Sequence, residues 1–166
     1  MAIVGDGDQL GEGGNHLIHA ARRNPDIACV LHNNQLYSLT VGQPSPTSDK
    51  GAKTRSTPEG VFDQPFNPLA LAIASGASFV ARGFAGDVSQ LTKILIEAIN
   101  HRGFALVDVL QPCVALNHLN TYSWFRERIY SLENHDAENK VLAFEKSLEW
   151  GERIPVGIFY QEERPT

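Results

Sequence analysis

Four short apolar runs, with helical stretches between them, set the rhythm of this chain. Ala2-Ile3-Val4 is the first run, and the second spans Asp26 to His32 around Ile27, Val30 and Leu31. Ser78 to Ala81 and Phe104 to Leu110 are the third and fourth. Unbroken apolar runs of this length are what buried parallel strands look like, whereas half-exposed strands alternate. A helix is expected from about Gly14 to Arg23, stopping before Asn24-Pro25 because a residue preceding proline is pushed out of the helical region. Asn67 with Pro68 behind it is a helix start, the amide as cap and the proline at the first helical position. Asp87-Val88-Ser89-Gln90 has the spacing of a capping box. Leu91, Ile94, Leu95, Ala98 and Ile99 follow at i, i+3, i+4 intervals and predict an amphipathic helix with one face on the sheet. Lys140 to Trp150 reads as another helix, and Val156 to Tyr160 as a short strand after Pro155. Strands alternating with helices predict an α/β fold with an open, doubly wound, mostly parallel sheet.

Residues 35–66 break the rhythm. Pro44, Pro46, Pro58 and Pro65 lie within a Ser/Thr/Gly-rich stretch too long for a plain connection, which predicts a lid or substrate loop. Beyond it the chain divides into a core, 1–115, and a more polar, aromatic extension, 116–166. There Tyr122, Trp124, Phe125 and Tyr130 interleave with Arg126, Glu127 and Arg128. Such a cluster suits packing on the core or on a partner subunit.

Composition narrows the classes. At 166 residues with 42% hydrophobic content and 20% charge, the chain is one globular domain with a sizeable core. A net charge of −5 argues against nucleic acid or anionic membranes as partners. No apolar run reaches membrane-spanning length and no basic leader opens the chain, so a cytoplasmic site is expected. Two cysteines, Cys29 and Cys113, make no disulfide framework.

The chemistry concentrates at Gly5-Asp6-Gly7-Asp8 and Asn33-Asn34. Each group follows an apolar run and so falls at the carboxyl end of a strand, where open α/β sheets bind their ligands. Glycines let the backbone approach a phosphate, while Asp6 and Asn34 offer hard oxygens to a Mg²⁺ shared with substrate phosphates. Competing motifs fail. A dinucleotide fingerprint needs glycine where Leu10 stands, and a Walker loop needs a lysine, of which none precedes Lys50. A glycine-rich surface turn accounts for Gly5 to Asp8 alone but leaves the amide pair without a role.

These residues, with Gly13-Gly14-Asn15-His16, Ser45-Pro46-Thr47, Phe66-Asn67-Pro68, Ala81-Arg82-Gly83, Gln111-Pro112-Cys113 and Glu163-Arg164-Pro165, closely resemble the β subunit of 2-oxoacid:ferredoxin oxidoreductases over essentially the whole chain. The resemblance implies a sheet of the thiamine-diphosphate-binding type, truncated at the amino terminus. It also implies CoA-dependent oxidative decarboxylation of a 2-oxoacid, with electrons passed to ferredoxin. The implied partners are an α subunit, which supplies the glutamate that activates the cofactor, and a second αβ unit. Asp6, the Asn34 side chain and the Leu36 carbonyl are implied as Mg²⁺ ligands, with Gly5, Gly7 and Asp8 lining the diphosphate.

Cys113 taken alone reads as a small buried hydrophobe. In the resembling family a Pro-Cys here supplies one ligand of a [4Fe–4S] cluster, and an amino-terminal region with a Cys-x-x-Cys motif supplies the others. That region is missing here, so a cluster is expected only where it is present. His16 and His19, one helical turn apart, read as solvent-facing or as distant support for the diphosphate. Arg22-Arg23 suit a helix carboxyl end. For the substrate, the 2-oxoglutarate type usually carries lysine where this chain has Val41, within the Leu39 to Gln43 loop. 2-Oxoglutarate stays the favoured substrate, with pyruvate or a branched 2-oxoacid as alternatives. A non-catalytic remnant and a generic Mg²⁺-diphosphate decarboxylase are the rival readings.

Overall fold

The computed structural model describes residues 1–166. Its first half runs β1 (Ala2–Gly5), a π-helical turn (Asp8–Glu12), α1 (Gly14–Arg23), β2 (Ile27–Asn33), β3 (Leu36–Tyr37), β4 (Gln43–Pro44) and α2 (Pro68–Ser75). The second half runs β5 (Phe79–Phe84), α3 (Val88–Asn100), β6 (Phe104–Leu110), α4 (Tyr122–Arg126), β7 (Ile129–Ser131), α5 (Lys140–Ser147) and β8 (Ile154–Gln161). Six strands form one sheet in the order β1-β2-β6-β5-β8-β7, and β3 with β4 makes a separate small hairpin. β1, β2, β6 and β5 are mutually parallel, while β8 runs antiparallel to β5 and carries β7 parallel to itself. The mostly parallel α/β sheet expected from the sequence is therefore the one present.

Local signals explain the boundaries. Asn24 ends α1 in a left-handed conformation at φ 55°, which the following proline makes the natural stopping point. Asn67 caps α2 by accepting from the Ala70 N–H, and Asp87 caps α3 by accepting from the Gln90 N–H. The Gln90 side chain does not return the second half of a capping box; its Nε2 donates to Ser131 Oγ instead, tying α3 to β7.

Every residue of β5 and β6 is buried, as their unbroken apolar runs require. Leu17, Leu31, Leu69, Ile73, Leu106 and Phe159 build the core on one face, beneath α1, α2 and α5. Ile94 and Ala98 of α3 meet Phe79, Ala105 and Val107 on the other. Residues 116–166 do more than cover this sheet, because β7 and β8 extend it. The aromatic cluster turns inward too: Tyr122, Trp124 and Phe125 pack with Phe84, Leu110, Ile154 and Trp150. Phe125 is buried in this cluster, while Tyr122, Trp124 and Trp150 are half-buried against it.

Two polar points interrupt the apolar core. Arg82 of β5 and Asp108 of β6 are both buried and paired, Nε to Oδ2 at 2.9 Å. Asn33 of β2 donates to the other Asp108 oxygen at 3.0 Å, and the guanidinium lies between the Trp150 and Phe159 rings at 5.3 and 5.6 Å. At the opposite end of the strands, buried Ser78 donates to Asn24 Oδ1 at 2.5 Å and meets His101 Nε2 at 2.8 Å. Burial holds the His101 pKa below its ordinary 6.5, against the upward pull of Asp26, Glu163 and Glu162.

Arg82→Met alone strands a buried carboxylate and should cost about 3–5 kcal/mol in urea denaturation. Arg82→Met/Asp108→Leu should recover most of that, short of the roughly 1–3 kcal/mol for an Asn33 amide left without its acceptor. For His101 the unfolded chain takes up the proton first as pH falls, so its contribution is complete above 6.5 and shrinks below that value. Denaturation at a series of pH values should show stability falling below 6.5, with a shallower slope for His101→Gln.

Candidate functional site

Register brings the two halves of the site together. Gly5 of β1 pairs with His32 of β2, so the Asp6-Gly7 turn and the Asn33-Asn34 turn leave neighbouring strands side by side. The Asp6 carboxylate is 1% exposed, and Oδ2 lies 2.5 Å from Ser45 Oγ and 2.6 Å from Thr47 Oγ1. The Asn34 backbone N–H also points at this carboxylate. Burial raises the Asp6 pKa, and its hydrogen bonds with Ser45, Thr47 and two backbone groups offset that only in part. None of the four ion pairs in the chain involves Asp6. A buried carboxylate without a cation of its own is the donor chemistry a hard divalent ion requires.

The remaining expected ligands lie on the same turn. Asn34 Oδ1 accepts from the Leu36 N–H at 2.9 Å, and its Nδ2 donates to Ser38 Oγ at 3.1 Å. The amide oxygen is thus oriented with one of its two lone pairs still available. Leu36 is buried and opens the β3–β4 hairpin opposite Pro44. Asp8 is exposed and folds back so that Oδ2 accepts from the Gly5 N–H at 3.3 Å.

The Gly7 backbone is helical at φ −61° and ψ −51°, so its conformation alone does not call for glycine. A Cβ there would collide with the Tyr37 ring. Tyr37 lies across the turn, with its hydroxyl 3.3 Å from the Gly7 carbonyl and 3.4 Å from Glu12 Oε1. Burial and the Glu12 carboxylate push the Tyr37 pKa up, so it remains a donor at neutral pH.

Sequence reasoning did not single out Tyr37, Ser45, Thr47, Gln35 or Asn120 as parts of the site. The Ser45 and Thr47 hydroxyls, spaced i, i+2, are the one local signal that points at Asp6. The other expected positions stand apart. His16 and His19 are exposed on α1, and no three His, Cys, Asp or Glu side chains converge on a common point. Cys29 is buried in β2, where desolvation pushes its thiol up to about 11. Cys113 is half-buried beyond β6. Desolvation raises its pKa, but hydrogen bonds from Ser38 and from the Ala115, Leu116 and Asn117 N–H groups outweigh this, and the thiol lies below its ordinary value.

The 35–66 stretch carries the β3–β4 hairpin and borders a cleft of about 410 Å³. Leu36, Val41, Lys53, Arg55, Leu116 and His118 are among the residues lining it. Leu39 is 98% exposed beside it. Val41 sits at φ 75°, a conformation a β-branched residue rarely adopts. No helix of the chain is long and apolar enough to cross a membrane.

Comparison with known proteins identifies the family. Residues 1–109 match the family model for the C-terminal TPP-binding domain of thiamine pyrophosphate enzymes. Residues 113–166 match that for the C-terminal part of the pyruvate ferredoxin oxidoreductase beta subunit. The 2-oxoacid:ferredoxin oxidoreductase subunit beta of a Sulfolobus species is 48% identical across 96% of this chain and 56% of its own length. The 2-oxoglutarate oxidoreductase subunit KorB of Mycobacterium tuberculosis is 52% identical across 69% of this chain and 31% of its own. Among solved structures, the 2-oxoglutarate:ferredoxin oxidoreductase of Magnetococcus marinus, with 2-oxoglutarate, coenzyme A and succinyl-CoA bound, superposes with a TM-score of 0.95. It is 35% identical, and the match covers all of this chain and 58% of that one. The chain spans about half the length of the β-subunit relatives it matches across nearly its whole extent. It belongs to the thiamine pyrophosphate-binding enzymes, within the β-subunit family of the 2-oxoacid:ferredoxin oxidoreductases.

Proposed function

We propose that this chain is the cofactor-anchoring part of a β subunit that works with an α subunit, in CoA-dependent oxidative decarboxylation of a 2-oxoacid with ferredoxin as electron acceptor. The observation that carries the proposal is the buried Asp6 carboxylate, with the Asn34 backbone N–H pointing at it from the adjacent strand end. Asp6, Asn34 Oδ1 and the Leu36 carbonyl would hold Mg²⁺, and Gly5, Gly7 and Asp8 would border the diphosphate. Thiamine diphosphate supplies the carbanion chemistry that cleaves the bond to the carboxylate. The chain's own work is to hold the ion and orient the diphosphate, with Ser45 and Thr47 fixing the Asp6 carboxylate for that task. Residues 1–115 hold this anchor, and 116–166 close the sheet behind it. Cys113, its thiol favoured toward thiolate by its hydrogen bonds, is available as one ligand of a [4Fe–4S] cluster completed by cysteines from outside this chain.

The names of several relatives favour 2-oxoglutarate as the substrate. Val41 supports a second reading, with pyruvate or a branched 2-oxoacid as substrate: the side chain at that position is uncharged, and Lys53 and Arg55 are the cations that line the same cleft.

Titration calorimetry on the complete αβ enzyme should show Mg²⁺-dependent binding of thiamine diphosphate, weakened at least roughly 100-fold in Asp6→Ala through loss of a charged metal ligand. Equal binding by wild type and Asp6→Ala, or none by wild type, rejects the assignment. Val41→Lys should raise kcat/KM for 2-oxoglutarate roughly 10-fold or more over pyruvate, the worth of one charge-assisted hydrogen bond. An unchanged ratio of the two would show that this position does not face the distal carboxylate.

A further inference from the structure

Gln35 stands between two of the three proposed Mg²⁺ ligands, Asn34 and Leu36, and is the most heavily constrained residue of the site. Its backbone is left-handed at φ 60°, although it is not glycine, and its side chain is buried. Left to itself, a glutamine would leave that region of φ/ψ space, and neither Asn34 nor Leu36 would keep its direction. Both amide protons and the amide oxygen are hydrogen-bonded. Nε2 donates to the Thr47 carbonyl at 3.0 Å and to Asp49 Oδ1 at 3.3 Å, and Oε1 accepts from Asn120 Nδ2 at 2.5 Å. The Gln35 carbonyl accepts from Ser48 Oγ at 2.6 Å. The neighbours are fixed in turn: Asn120 Nδ2 also reaches Asp49 Oδ2 at 2.7 Å, and Trp150 Nε1 donates to Asp49 Oδ1 at 3.1 Å. Asn117 Nδ2 reaches the Asn34 carbonyl at 3.3 Å.

We infer that Gln35 is a positioning residue for the Mg²⁺ site, held in its left-handed conformation by Asp49, Asn120 and Trp150. The inference rests on the proposed thiamine-diphosphate function. Backbone outliers of this kind persist only where the surroundings over-determine them, and they collect at functional sites. Here the forced turn aims the Asn34 amide and the Leu36 carbonyl from one short segment. The clamp comes from two distant parts of the chain, the loop at 47–49 and the extension at 117–150. The metal turn is therefore not preorganised by β1 and β2 alone.

Glycine and alanine at position 35 separate this role from simple packing. Both remove the amide, but glycine adopts φ 60° freely whereas alanine resists it. The readout is the Mg²⁺ concentration that half-saturates thiamine diphosphate binding to the complete αβ enzyme, followed by calorimetry. Gln35→Ala should raise it roughly 10-fold or more, with Gln35→Gly between Ala and wild type. Trp150→Phe, which keeps a ring but loses the indole N–H, should raise it several-fold. Melting temperatures without cofactor should follow the same order, glycine above alanine. If packing were the only role, the order would reverse, since alanine fills more space. Glycine no better than alanine in both measurements, beside a wild type that binds normally, overturns this role alone. A wild type without Mg²⁺-dependent binding overturns the proposed function and this role together.

Discussion

A carboxylate kept out of water with no cation beside it is the constraint around which this structure is arranged. Asp6 meets hydroxyls from Ser45 and Thr47 and a backbone N–H from Asn34, all of which lower its pKa, yet burial outweighs them. Holding it there is costly, because the fold imposes the desolvation and no ion pair of the chain offsets it. The parallel sheet makes this possible. It places the ends of β1 and β2 next to each other, so that two short turns far apart in sequence share one point in space.

The sheet and the Asp6–Asn34 pair were legible in the sequence for one reason: each depends on local chemistry. Unbroken apolar runs mark buried strands, Asn67-Pro68 marks a helix start, and Gly-Asp-Gly at a strand end marks a ligand turn. What escaped depends on long-range packing. The aromatic segment around Trp124 left open whether its rings pack on the core or on a partner, and only the pairing of β8 with β5 shows Phe125 packed among Phe84, Leu110, Ile154 and Val156. Gly7 was expected to let the backbone approach a phosphate; its missing Cβ also makes room for Tyr37, a residue thirty positions on that no local pattern connects to it. Gln35 was invisible because a left-handed glutamine carries no sequence signature; its partners at 49, 120 and 150 become partners only once the sheet has formed.

The family match divides the chain near residue 110, but the forces holding the site do not respect that division. Trp150 is the clearest case. Its indole N–H fixes Asp49, which holds Gln35, while its ring lies against the Arg82 guanidinium, whose partner Asp108 fixes Asn33. Asn33 in turn faces Thr47, 3.0 Å from its Oδ1, and Thr47 touches Asp6. One side chain from the later segment therefore reaches both the Asp6 turn and the Asn34–Gln35 turn by separate routes, one through a loop and one through the sheet. A cofactor anchor that had to survive without those routes would need β1, β2 and their turns to hold a strained glutamine and a buried carboxylate unaided. Neither is stable on local propensity, so the anchor and the segment that follows it fold as one unit.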